Sequence, residues 1–247
     1  MKDLLKRMVI GSPVEPLARQ MYAWISLCGK YDHETLSVMD RVLKRDSHCL
    51  DVGGHKGDML AEMIRRAPQG AHQAFEPIPA SHARLVKRFP EVPIHNIALS
   101  DEAGETTFHV VVDAPALSSL RERPAAQGKR VEEIRVRTER LDAFVAPHEP
   151  IDFIKIDVEG AEYHVFRGAT ETLSRCHPIV VFEHGRGGAD CFGAGPNQVF
   201  DLLADCGLKV SLMQRWLRKQ PALSRDELAE EFETNRNYYF IAYPGGE

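Results

Sequence analysis

Apolar residues recur at helical spacing along the first 45 positions. Leu17, Met21, Trp24, Ile25, Leu27 and Cys28 fall mostly on one face, and Leu36, Met39, Val42 and Leu43 repeat the spacing after Asp32, which reads as a helix cap. The segment 1–45 is too short to bury a core alone, so it reads as a helical extension ahead of a domain at 46–247. From Cys49 short apolar runs alternate with helical stretches. Strands are predicted at Cys49–Val52, Gln73–Phe75 and Val92–Ile97, with helices near Gly57–Arg66 and Ala80–Arg88. The rhythm then breaks. Thr106–Val112 and Glu133–Arg137 alternate apolar and polar residues, as antiparallel strands with one wet face do. Between them, 113–130 is rich in Ala, Pro, Ser and charge and reads as a long loop, a length usually functional or mobile. Strand and helix then resume with Ile151–Ile156, Ala161–Leu173 and Pro178–Phe182. A loop with five glycines at 185–195, a helix near Asn197–Cys206 and strands near Leu208–Met213 and Tyr238–Tyr243 complete the chain. This order predicts an α/β fold, an open and mostly parallel sheet with helices on both faces.

Composition narrows the partners. With 43% hydrophobic and 27% charged residues, the 247-residue chain can build an ordinary globular core. The net charge is −5, from 31 basic and 36 acidic residues well mixed along the chain, and no basic block exceeds Arg121–Arg123 and Lys129–Arg130. A nucleic-acid partner is disfavoured, and a small-molecule substrate fits better. The five cysteines form no CxxC pair, which points away from a disulfide framework or thiolate zinc site and towards a reducing, cytoplasmic setting. No apolar run approaches the length of about 18 residues that spans a bilayer, so neither membrane insertion nor export is expected.

The first predicted strand runs straight into Asp51-Val52-Gly53-Gly54-His55-Lys56-Gly57. Glycine there allows tight backbone angles and lets a ligand approach the main chain. The helix that follows offers free N–H groups at its start. A dinucleotide fingerprint needs G-x-G-x-x-G, but position 55 is His and the central glycine is missing. The D-x-G-x-x-x-G spacing instead fits S-adenosylmethionine. Glu76, at the end of the second strand, can accept both ribose hydroxyls.

A second group lies at the end of the fourth long strand, Ile154-Lys155-Ile156-Asp157-Val158-Glu159-Gly160-Ala161-Glu162, and a third follows the fifth, Phe182-Glu183-His184. In a parallel sheet these ends face the crevice that holds Asp51, and charged groups there line a solvated site more readily than a core. Asp157, Glu159, Glu183 and His184 are candidates for the base that takes a proton from an acceptor hydroxyl. The same four could hold Mg²⁺, although strand-end carboxylates are common without metal and none is expected. Ser118, Ser119 and Arg121 in the long loop could bond a sugar.

These strings, with Phe75-Glu76-Pro77, Asn96-Ile97-Ala98-Leu99-Ser100-Asp101, Leu141-Asp142 and Gly168-Ala169, resemble the FkbM-type S-adenosylmethionine-dependent methyltransferases over about 32–243. Gly54-His55 departs from the family's more frequent Ala-Asn. The resemblance implies a Rossmann-like class I methyltransferase fold: a mostly parallel seven-stranded sheet, an inserted β-hairpin and an N-terminal helical extension. It also implies methyl transfer, commonly to oxygen on sugars or natural products. By matching position, Asp51, Gly53, Gly54 and Gly57 would surround the methionine half of the cofactor and Glu76 its ribose. Asn96 and Ala98 would approach the adenine, and Asp157 the sulfonium. The rival readings are an NAD-dependent oxidoreductase and a non-catalytic binding protein that keeps the fold.

Overall fold

The computed structural model describes residues 27–245. The helical face expected at 17–25 lies outside them. Ten strands and eight α-helices follow in order: α1 (Leu27–Val42), β1 (Cys49–Val52), α2 (Asp58–Arg66), β2 (His72–Phe75), α3 (Pro79–Arg88), β3 (Ile94–His95), β4 (Ala98–Leu99), β5 (Gly104–Val111), β6 (Val131–Glu139), β7 (Phe153–Ile156), α4 (Glu162–Arg167), α5 (Thr170–Cys176), β8 (Ile179–Glu183), α6 (Pro196–Asp205), β9 (Leu208–Ser211), α7 (Met213–Leu217), α8 (Arg225–Thr234) and β10 (Tyr239–Pro244).

Seven strands make one sheet in the order β3-β2-β1-β7-β8-β10-β9. All pair in parallel except β10, which runs antiparallel to both neighbours. The order reverses between β1 and β7, the switch point beyond which such sheets bind ligands. β4, β5 and β6 form a separate three-stranded sheet, built on the expected antiparallel hairpin.

Alternation along each strand sorts side chains onto two faces. Leu50, Val52, Ile154, Ile156, Val180, Phe182 and Phe240 pack with Val165, Val199, Leu203 and Leu228 beneath α4, α6 and α8. Cys49, Phe153, Val181 and Ile241 face the other way, against Tyr31, Val38 and Met39 of α1, Met63 of α2 and Met213 of α7. Among the described residues no helix is long and apolar enough to cross a membrane.

Three sequence expectations are corrected in detail. The strand expected at 92–97 splits at Asn96, so Ile94–His95 joins the main sheet and Ala98–Leu99 the small one. The helix expected at 161–173 breaks at Gly168, where a Cβ would stand 2.0 Å from the Ser100 carbonyl oxygen. Asp32 lies inside α1 and does not cap it.

Candidate active site

Strand register builds the site. Asp51 of β1 stands opposite Lys155 of β7, and Glu183 of β8 stands opposite Tyr239 of β10. The parallel pairing of Ile156 with Phe182 brings Asp157, one residue on, beside Glu183. All five side chains share the α1 face of the sheet by alternation, at the carboxyl ends of the parallel strands. They line a cleft of about 700 Å³, within the usual range for ligand pockets.

The glycine turn floors this cleft. Gly53 has φ +83°, and a Cβ there would lie 1.9 Å from the Asp157 carbonyl oxygen, so both backbone angle and space demand glycine. Gly53 and Gly54 N–H both donate to the Phe75 carbonyl (3.0 and 3.2 Å), which fixes the turn against β2. Gly57 serves differently. At φ +78° it starts α2, and its missing side chain makes room for Phe89 and Leu85; it does not line the cleft.

Asp51 is 1% exposed, and neither carboxylate oxygen meets a hydrogen-bond donor at normal geometry. Its nearest cation, Lys155 Nζ, is 4.0 Å away. Burial raises its pKa, against the pull of Lys155 and of the Leu60 N–H at the start of α2. Glu76 is also buried, with Oε2 accepting from His55 N–H (2.8 Å) and Oε1 from Ile78 N–H (2.9 Å). Each oxygen keeps a lone pair for a further donor. Asn96 does not reach the cleft. Its amide donates to the Glu76 and Pro77 carbonyls (both 2.9 Å), bracing the turn that carries Glu76. Ala98 does line the cleft, in an apolar slot with Phe75, Ile78, Ile97, Leu99 and Phe108.

Asp157, Glu159 and Glu183 each bring a carboxylate oxygen within 4.8 Å of the others. Their surroundings give them different charge states. Burial works against the Asp157 carboxylate, but Lys155 Nζ at 3.1 Å and the Tyr239 hydroxyl at 2.6 Å hold its pKa below the usual range. Glu159 is pushed up to about 7 by burial and by Asp157, against its ion pair with Arg123. Glu183 is raised well above the usual value, first by burial and then by its acidic neighbours. The three titrate as a coupled group. The three are spaced to hold a metal ion between them, and two of them, Asp157 and Glu159, already face a cation of the protein.

His184 is not part of this group. As the neighbour of Glu183 it projects to the other face of the sheet, fully buried and stacked on Phe232 of α8 with ring centroids 5.0 Å apart. Burial lowers its pKa to about 4. It is a core residue, outside the lining of the cleft, and is not a base for an acceptor held there.

The loop bearing Glu159 is built to hold that side chain. Glu159 has φ +59° and Gly160 φ +108°. Glu162, first in α4 and fully buried, accepts from Val158 and Gly160 N–H (3.0 and 3.1 Å) and so clamps the loop. From the long insert, Ser119 Oγ donates to the Glu159 carbonyl (2.9 Å), and Arg123 Nε donates to the Gly187 carbonyl (3.1 Å) while pairing with Glu159. Arg121 donates to the Cys191 carbonyl at 2.8 Å, so it ties loop to loop. The two segments read as loops thus interlock beside the cleft.

Sequence reasoning missed Tyr239, Arg123, Asp32 and Tyr31, all of which line the cleft. The signal for Tyr239 was the alternation of β10, which puts its odd-numbered residues on the Glu183 face. Nothing near Arg123 in sequence marks it.

The family model described as "Methyltransferase FkbM domain" matches residues 51–210, the stretch that carries these groups from Asp51 to the strand beyond Glu183. The chain belongs to the FkbM methyltransferase family. Among curated proteins it is 30% identical over 162 residues to "2-O-methyltransferase NoeI" of Sinorhizobium fredii, covering 59% of this chain and 65% of that protein. It is 29% identical over 212 residues to "AMB antimetabolite synthetase AmbE" of Pseudomonas aeruginosa, covering 70% of this chain and 10% of that protein. The chain thus spans less than two thirds of either relative. The solved structure of methyltransferase FkbM from Methylobacillus flagellatus shares the fold, with a TM-score of 0.51 and 14% identity over 81% of this chain and 44% of that one.

Proposed function

We propose that the chain transfers a methyl group from S-adenosylmethionine to a hydroxyl of a small molecule, such as a sugar or natural product. The observation that carries this reading is the pairing of Asp51 and Glu76 around the Gly53 turn. Asp51 offers a buried carboxylate whose oxygens make no hydrogen bond of normal geometry among the described residues, Glu76 keeps lone pairs free, and Gly53 between them carries no side chain. A ligand that carries an ammonium, two vicinal hydroxyls and a flat ring matches the Asp51, Glu76 and Phe75–Ile97–Leu99 surfaces in turn.

When bound, the cofactor supplies a methyl group on a sulfonium that is already electrophilic. The protein has to align the acceptor oxygen, exclude water and take the proton. Glu159 is the base that fits. Its carboxyl, pushed up to about 7, exchanges protons near neutrality, and Glu162 and Arg123 fix its position. Asp157, held ionised by Lys155, is the weaker base and supplies negative charge facing the sulfonium. Glu183, held protonated, can donate a hydrogen bond to the acceptor. The insert at 113–130 closes the cleft beside them. NoeI, whose name states 2-O-methyl transfer, supports oxygen as the acceptor atom.

Neither rival reading accounts for the site. A dinucleotide turn needs a central glycine where this chain has His55, and three carboxylates gathered in one cleft favour chemistry over binding alone. The test is transfer of a labelled methyl group to a panel of hydroxylated sugars and natural-product alcohols. Label in an ether-linked methyl supports the reading; label found on amines alone replaces oxygen with nitrogen as the acceptor.

A further inference from the structure

A second hollow of about 570 Å³ adjoins the cleft and shares His55, Lys56, Pro115 and Ala116 with it. The remaining lining is Arg84, Arg88, Asp113 and Ala114. Arg84 and Arg88 stand one turn apart on α3 and so point the same way. Three permanent cations line the hollow with one carboxylate, Asp113, and a second carboxylate, Asp58, neutralises one of them, in a protein of net charge −5. Arg88 is held by Asp58 at 2.9 Å and by the Lys56 carbonyl. Among the described residues the Arg84 side chain donates to the Ser81 hydroxyl alone, at 2.7 Å, which leaves most of its donors available. The His55 ring between hollow and cleft is held towards its neutral form, first by burial and then by Lys56 and Arg84.

The reactive end of the neighbouring cleft offers no such excess of donors, since Lys155 there pairs with Asp157 and Arg123 with Glu159. An anionic group is therefore drawn to the hollow. The hollow lies between the glycine turn and the insert at Pro115–Ala116, both of which also line the cleft. We infer that it holds a phosphate group of the acceptor, with Arg84 and Lys56 as its anchors. The acceptor is then a phosphorylated molecule, oriented with its hydroxyl at Glu159 and its phosphate at Arg84. This inference rests on the methyl-transfer reading for what occupies the cleft, but the hollow can be tested separately. Arg84 has the geometry for it, since a guanidinium donates two parallel bonds to a phosphate.

The experiment is calorimetric titration of inorganic pyrophosphate, without metal, into the protein saturated with S-adenosylhomocysteine. The wild type is compared with Arg84→Glu and Lys56→Ala. Pyrophosphate should bind the wild type and lose about tenfold or more in affinity in each variant, while Arg84→Glu still binds S-adenosylhomocysteine as the wild type does. Absence of pyrophosphate binding to the wild type, equal binding to all three proteins, or displacement of S-adenosylhomocysteine by pyrophosphate each overturns the inference. If S-adenosylhomocysteine fails to bind while pyrophosphate binds in an Arg84-dependent way, the hollow stands as a phosphate site and the methyl-transfer reading falls.

Discussion

Asp51 and Lys155 stand directly opposite one another on adjacent parallel strands, with their charged ends 4.0 Å apart in a site where Asp51 is 1% exposed. The same ammonium reaches Asp157 at 3.1 Å, so one buried cation serves two carboxylates. Removing it leaves charge buried without a partner. Lys155→Met should cost about 3 kcal/mol of folding stability in urea denaturation at pH 7. A cost below about 1 kcal/mol would mean that the carboxylates find other partners.

Glycine 53 makes a sharper geometric prediction. A methyl group there would lie 1.9 Å from the Asp157 carbonyl oxygen at φ +83°, whereas at Gly187, with φ +84°, it would meet nothing within 4 Å. Gly187→Ala should therefore lose only about 1–2 kcal/mol for its left-handed backbone. Gly53→Ala should lose clearly more, because β1 and β7 must part to admit it. Thermal unfolding of the two variants side by side gives the comparison.

The proposed proton transfer to Glu159 can be read from rates. Glu159→Gln should lower the maximal rate by about 10² to 10⁴ and remove the rise in rate as pH passes about 7, the value to which that carboxyl is pushed. Binding of S-adenosylhomocysteine should persist. His184→Phe, on the far face of the sheet, should leave the shape of the pH profile unchanged.

Stability should fall as the pH rises. Glu162 is fully buried, with its pKa raised from 4.5 to about 7 by burial, against the backbone N–H bonds it accepts. A carboxyl whose folded pKa is raised favours its neutral form in the fold. Its contribution is full below pH 4.5 and declines as pH rises through about 7, by up to roughly 3 kcal/mol. Glu159 acts in the same direction. Asp157, with its lowered pKa, acts in the opposite one, losing its contribution as pH falls below the ordinary aspartate range. Urea midpoints of the wild type should drop between pH 4.5 and 7, and Glu162→Gln should flatten that drop.

The parts of the fold read most directly from sequence are those where one local rule dominates. β1 ends where its apolar run meets the glycine turn, as expected, and the parallel pairing of β1 with β2 brings Glu76, the residue after β2, beside that turn. The misreadings come from contacts between distant segments. Nothing local announces that Gly168 must pass the Ser100 carbonyl, or that Asn96 turns aside to brace Glu76. Helices α7 and α8 went unpredicted because their cores, Met213 and Leu228, are packed by partners elsewhere in the chain. His184 was a different kind of error. Strand alternation alone separates it from Glu183, so its departure from the site was legible in the spacing. Arg123, sixty-four residues from Gly187 in sequence, was not.

The central claim is that the cleft around Asp51 and Glu76 is made for S-adenosylmethionine. Its most direct test is calorimetric titration of the full chain with S-adenosylhomocysteine and, separately, with NAD. One equivalent of S-adenosylhomocysteine should bind, with Asp51→Asn and Glu76→Gln each weakening it about tenfold or more, and NAD should give no saturable heat. Binding of NAD in preference, or binding of S-adenosylhomocysteine that neither substitution alters, would contradict it.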